Sequence, residues 1–266
     1  TSFKSSVMTS NSSDFPPWYF EPLTLEDALA GGSLLILSIP LFPLTMMVIV
    51  VMGKHDKEIV CYRYLISSAI ADLGCMLIYG PLNGVAILFK NRLVGIAGRV
   101  PMQIFLDGIR ISLCFHYPVI AWSRFTAVKF PVFFRTQPRA TSYLICSIPY
   151  LAGFGLTVIV SFMPWHVIFY YEPSQYGMTT DDFAKYLSSG LNVMFRLVDV
   201  ISIGGPALFY RLLFPCIVDV ILFTAGEMVF NVGGSGKWFG WFICFVLFTN
   251  SAAHAPLLLL FSPTLR

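Results

Sequence analysis

Residues 29–52 read LAGGSLLILSIPLFPLTMMVIVVM, an apolar run without one charged side chain. A helix rising ~1.5 Å per residue needs about 20 such residues to cross a hydrocarbon core of roughly 30 Å. Leu29–Met52 is long enough. Outward from it, six further stretches qualify: Tyr62–Phe89, Val100–Phe125, Thr141–Pro164, Tyr186–Tyr210, Leu212–Val232 and Trp238–Ser262. Together the seven occupy most of the 266 residues. The chain is 56% hydrophobic and 12% charged, with a mean hydropathy of +0.75, whereas soluble domains carry about 25% charged residues. A soluble domain is excluded. The sequence predicts an all-α, polytopic membrane protein built as a seven-transmembrane-helix bundle over residues 29–262.

Residues 1–28 are expected to form a polar, Ser/Thr-rich extracellular tail and do not read as a cleavable signal, because the first apolar run is already span-length. The chain starts at Thr1, so an initiator Met is expected to have been removed or to lie upstream. With the N-terminus outside, the inner loops hold nine Lys/Arg (Lys54, Lys57, Arg63, Arg124, Lys129, Arg135, Arg139, Arg211, Arg266) and the outer side six. Inner loops are expected to be the richer, so the N-terminus is placed outside and residues 263–266 form a short cytoplasmic end. The sequon Asn11-Ser12-Ser13 then lies where glycosylation takes place. All six cysteines fall in or at the ends of spans, which leaves no disulfide for the outer loops. The net charge of +3 reflects the inner loops. No basic stripe alternating with aromatics points to nucleic acid.

Prolines interrupt the spans at Pro40, Pro43, Pro81, Pro118, Pro149 and Pro256. Membrane helices tolerate them because neighbouring groups re-satisfy the freed carbonyls. The fifth and sixth spans run together, with only Arg211 between them and one turn signal, Gly204-Gly205-Pro206, nearby. Almost no inner loop is left there. No catalytic or metal constellation is present: the four His are scattered, and Gly233-Gly234-Ser235-Gly236 runs into Lys237-Trp238 without the Lys-Ser/Thr of a phosphate loop. No cofactor is expected, and the protein reads as a non-enzyme. Trp165, Tyr170, Tyr171, Trp238 and Trp241 fall near span ends, where an aromatic belt is the default expectation.

Ionisable groups at membrane depth cost several kcal/mol, about 2.5–3.5 on insertion scales, and so mark sites. Seven occur: Asp72, Asp107, Arg110, Arg196, Asp199, Asp219 and Glu227. Asp107/Arg110 and Arg196/Asp199 are spaced i, i+3 on one helix face. Asp72 and Asp219 lack a local partner and sit at a similar depth, which predicts a shared polar core that biases two helix packings. Asp107, Arg110 and Glu227 lie in the outer halves of their helices, within reach of a cavity open to the outside. His116, a turn and a half below Arg110, is expected to line its floor.

These motifs resemble a family. Ala69-Ile70-Ala71-Asp72-Leu73 is similar to the LAxAD(L) of rhodopsin-like seven-helix receptors. Trp122-Ser123-Arg124-Phe125 with Pro131 resembles their Asp-Arg-Tyr region and inner-loop Pro. Ala255-Pro256-x-x-Leu259 stands where they carry Asn-Pro-x-x-Tyr. The Ser-Arg-Phe form, the His254-Ala255 pair and the ending Phe261-Ser262-Pro263-Thr264-Leu265-Arg266 look like nematode serpentine chemoreceptors of class x or class t type.

The resemblance implies a G-protein-coupled sensor in the plasma membrane of chemosensory neurons, binding an extracellular small molecule or peptide. It implies that Arg124 engages the cytoplasmic face, that Asp72 and Pro256 belong to the central switch, and that the pocket lies among the third, fifth, sixth and seventh helices. The candidate ligand residues are Asp107, Arg110, His116 and Glu227. Asp72, Asp219, Arg124 and Pro256 form the candidate switch. The sequence departs from the family in lacking the outer disulfide, in Ser123 replacing the acid beside Arg124, and in the missing third inner loop, part of the usual heterotrimeric G-protein surface. A truncated, non-signalling receptor is therefore one alternative. An ion-coupled small transporter or channel is the other, since midplane acids and Pro/Gly-broken helices suit it too.

Overall fold

Thr24 starts the first long helix. Its hydroxyl accepts the Asp27 N–H at 3.2 Å while the Asp27 carboxylate accepts the Thr24 N–H at 3.0 Å, a reciprocal cap that satisfies two otherwise orphaned donors. Glu26 and Asp27 in the first turn, with Lys54 and His55 in the last, complement the helix dipole. The computed structural model describes residues 16–92, 95, 98–167, 169–180 and 236–261. The expected spans at Tyr186–Tyr210 and Leu212–Val232 lie outside these residues, as do Arg196, Asp199, Asp219, Glu227, Asn11 and the 263–266 end.

The described helices are α1 (Leu25–His55), α2 (Cys61–Leu77), α3 (Asn83–Leu88), α4 (Arg99–Lys129), the short α5 (Pro131–Arg135), α6 (Arg139–Ser161) and α7 (Lys237–Phe261). A wide π turn, Ile78–Leu82, carries Pro81 and joins α2 to α3, so that Cys61–Leu88 is one rod. A wide turn makes room for a proline ring where a regular α turn would clash. Pro40 and Pro43 lie within α1, Pro118 within α4, Pro149 within α6 and Pro256 within α7. Among the described residues, four rods are long and apolar enough to cross a membrane: Leu25–His55, Cys61–Leu88, Arg99–Lys129 and Arg139–Ser161.

The outside of the bundle is apolar. Ile36 and Ile39 of α1 and Leu144 and Leu151 of α6 are among its many exposed large side chains. Such a surface has lipid as its solvent, and closed helices are the structures that satisfy their backbone there. The main core lies where α2, the π turn, α4 and α7 meet, around Met76, Tyr79, Leu106, Leu113, Tyr117 and Phe248. Small residues let α4 and α6 approach closely: a Cβ on Gly153 would collide with Ser112 and with the Gly108 carbonyl.

One feature was not expected. Between α6 and the undescribed segment, β1 (Phe169–Glu172) and β2 (Gly177–Thr180) pair antiparallel, with Phe169 opposite Thr180 and Glu172 opposite Gly177. A 3-10 turn, Pro173–Gln175, and Tyr176 in the left-handed region (φ 56) close the hairpin. It packs on α7 so tightly that a Cβ on Gly177 would strike the Gly240 carbonyl, and one on Gly240 the Gln175 carbonyl. Met178 of β2 reaches into the main core.

Candidate functional site

The interior of an apolar bundle must pair every polar group it holds. Asp72, 1% exposed on α2, does so with α7: His254 Nδ1 lies 2.7 Å from Asp72 Oδ2. The His254 ring meets Tyr117 of α4 edge-on at 5.8 Å between centroids. Tyr117, with Arg110, Cys75, Tyr79, Asn250 and Ser251, lines an internal cavity of about 20 Å³, a size that admits one water molecule. The Asn250 side-chain carbonyl is buried beside it with no hydrogen-bond partner among the described residues. The three helices thus share one polar column, from Arg110 through the cavity wall to Tyr117, His254 and Asp72.

Asp107 is buried one helical turn from Arg110, on the same side of α4, as the i, i+3 spacing requires. His116 is placed elsewhere. It is fully buried between α2 and α6, with Nε2 2.9 Å from Ser67 Oγ, Nδ1 2.7 Å from the Ser112 carbonyl, and its ring 4.9 Å from that of Tyr150. Both ring nitrogens are engaged by protein, and His116 is not among the residues that line the cavity. Arg124 stands at the far end of α4, where the Cys61 thiol lies against it and Ser123. Pro256 lies in α7, two residues beyond His254. The structure therefore brings Asp72 and Arg110 to one column, keeps Asp107 beside it, and leaves His116 and Arg124 apart.

Sequence reasoning missed His254 as the partner of Asp72, since a 182-residue separation leaves no local pattern. It also missed the hub at the hairpin end of the bundle. Asp27, besides capping α1, accepts from Trp18 Nε1 at 3.0 Å and Tyr176 Oη at 2.6 Å, and pairs with Lys90 Nζ at 3.0 Å. The Thr24-x-x-Asp27 spacing was the available signal. Next to it, Glu172 accepts from Tyr19 Oη at 2.5 Å and pairs with Arg92 at 3.0 Å and Arg99 at 3.6 Å. Arg99 also stacks over Tyr170 at 3.8 Å.

Burial, and then the neighbouring carboxylates of Glu172 and Asp27, push the Tyr19 and Tyr176 phenols up, so both stay protonated donors. Burial opposes the Arg92 charge, but Tyr19 and Glu172 together raise its pKa. Tyr171, pushed well up by burial, bonds the Asn83 side-chain carbonyl. Trp241 donates to the Ala30 carbonyl at 3.1 Å. Tyr171 and Trp241, expected in an interfacial belt, instead tie the hairpin to the π-turned rod and α7 to α1.

The opposite end is closed by a second network. Arg63, 5% exposed, donates from Nε to the Asp56 carbonyl at 3.1 Å and from one terminal nitrogen to the Gln137 carbonyl at 3.3 Å and Ser142 Oγ at 3.1 Å. Arg139 pairs with Asp56 at 2.9 Å. The two turns at this end are thereby fastened together.

No protein family and no curated protein matches the chain. Solved structures do. The crystal structure of squid rhodopsin superposes with a TM-score of 0.65 at 16% sequence identity, covering 94% of this chain and 86% of the rhodopsin chain. At that identity the likeness establishes architecture alone: the chain has the fold of a rhodopsin-like, multi-pass helical membrane bundle.

Proposed function

We propose that the protein is a chemosensory receptor of G-protein-coupled type, of nematode class x or class t character, in the plasma membrane. Its N-terminus and hairpin end face outside and Asn11 carries a glycan. An extracellular small molecule or peptide binds against Asp107, Arg110 and Glu227, above the layer that His116 braces through Ser67 and Ser112. Binding biases the polar core of Asp72, Asp219 and Pro256, and Arg124 presents the change to a heterotrimeric G protein. A ligand achieves this only by binding one packing better than the other.

The observation that carries this reading is the pairing of Asp72 with His254 beside the Arg110-lined cavity, within a rhodopsin-like fold. It gives the bundle a buried, ionisable contact between two helices next to a cavity, and a packing switch can act through such a contact. The test is agonist-dependent G-protein activation or arrestin recruitment in cells expressing the full chain, screened against environmental small molecules. Arg110→Ala is expected to lose potency, and Asp72→Asn to lose response while surface expression persists. Unchanged potency in Arg110→Ala removes the pocket. Tracer uptake by the reconstituted protein, with no G-protein response to any ligand, replaces the receptor with a transporter.

A further inference from the structure

At the end of the bundle opposite the hairpin, α4 finishes at Lys129 and the chain bends at Phe130 (φ −131, ψ 60) into α5. Phe134 fixes α5 in place. It is 5% exposed and stacks on Tyr64, with centroids 6.3 Å apart and ring planes at 22°. Its neighbours point the other way: Val128 is 79%, Phe130 58%, Val132 75% and Phe133 64% exposed. Lys129 and Arg135 are exposed on the same knuckle and form no ion pair among the described residues. No acidic residue occurs anywhere between Asp107 and Glu172.

Depth decides what meets this surface. The 31 residues of α4 extend about 46 Å, beyond a hydrocarbon core of roughly 30 Å and comparable with the ~40–45 Å that includes the headgroups. The knuckle at the end of α4 therefore lies in the headgroup layer. Apolar side chains held there face the acyl boundary, and cations beside them face phosphates.

We propose that residues 128–135 are an interfacial anchor for anionic phospholipid: Phe130, Val132 and Phe133 enter the acyl boundary while Lys129 and Arg135 hold the headgroups. The two cations, without an ion pair among the described residues and in a stretch devoid of acids, supply the charge complementarity. The anchor goes beyond the receptor reading and does not depend on it.

The full chain in nanodiscs of phosphatidylcholine, with or without phosphatidylserine, tests it. Stepwise delipidation followed by native mass spectrometry is expected to show selective retention of phosphatidylserine. Combining K129Q with R135Q is expected to weaken that retention about fivefold per charge, roughly 30-fold for both. Combining K54Q with K57Q, at exposed lysines on the neighbouring turn, is expected to leave it unchanged. As a second readout, Phe133→Trp places a reporter at an exposed position, and lipid brominated near the glycerol is expected to quench its added emission. Equal phosphatidylserine retention with and without the two cations, or an unquenched reporter, overturns the anchor and leaves the knuckle as a protein-docking face.

Discussion

His254 and Asp72 face each other across the α2–α7 contact at 2.7 Å, although 182 residues separate them in the chain. Asp72 is buried and His254 is only 17% exposed, so the two are expected to behave as one unit. His254→Ala and Asp72→Asn should each lower the unfolding temperature in detergent. The double variant should lose less than the sum, with a coupling on the order of 1 kcal/mol or more. Strictly additive losses in a thermal double-mutant cycle would show that the pair does not interact.

The two arginines around Asp56 make a graded comparison. Arg63 is buried and serves two carbonyls and a hydroxyl, whereas the Arg139 side chain is 44% exposed. Arg63→Lys keeps the charge but not the planar fork, and should cost about 1–3 kcal/mol through unsatisfied buried acceptors. Arg139→Ala should cost within about 1 kcal/mol. Thermal melts that place Arg139→Ala as the more damaging change would contradict the network.

Hairpin seating is tested at Gly240. Gly240→Ala adds a methyl group where the Gln175 carbonyl already sits, and overpacking of this kind costs about 1–3 kcal/mol. Hydrogen exchange should accelerate across residues 169–180 and much less in α6. Unaltered protection of the hairpin would show that the contact is not tight.

His166, just beyond α6, has its pKa lowered from the ordinary 6.5 by burial. In the unfolded chain it takes up a proton near pH 6.5, and in the folded protein only at lower pH. The unfolded state therefore binds more protons as pH falls through 6.5, and stability declines there. Above pH 6.5 both states are neutral and the contribution is fully present. The difference in unfolding temperature between wild type and His166→Gln, followed from pH 7.5 down to 5, should widen against the wild type only below about 6.5. A difference that does not vary with pH would remove this role.

The bundle was legible because lipid as a solvent demands long apolar runs, and the runs around α1, α2–α3, α4, α6 and α7 are long. Asp107 and Arg110 were legible as neighbours for the same kind of reason, being one turn apart on one helix. The hairpin was not. Strands of four residues, Phe169–Glu172 and Gly177–Thr180, carry too little alternation to stand out in a loop between spans. Trp241 and Tyr171 misled because an aromatic near a span end looks the same whether it faces headgroups or a buried carbonyl. His116 lay at the right depth for a pocket floor, but the rotation of α4 turns it toward Ser67 and Tyr150. Depth is written in one dimension; azimuth depends on partners far away in the chain.

The π turn at Ile78–Leu82 has a consequence of this azimuthal kind. One surplus residue in a helical turn offsets everything beyond it by about 100° relative to an uninterrupted α-helix. Asn83, the first residue past the offset, is the one that meets Tyr171 of the hairpin. Excising a single residue from this turn would restore regular winding and swing Asn83 away from Tyr171. The rod thus behaves like a shaft with a fixed phase shift, and that shift decides which of its side chains the hairpin engages.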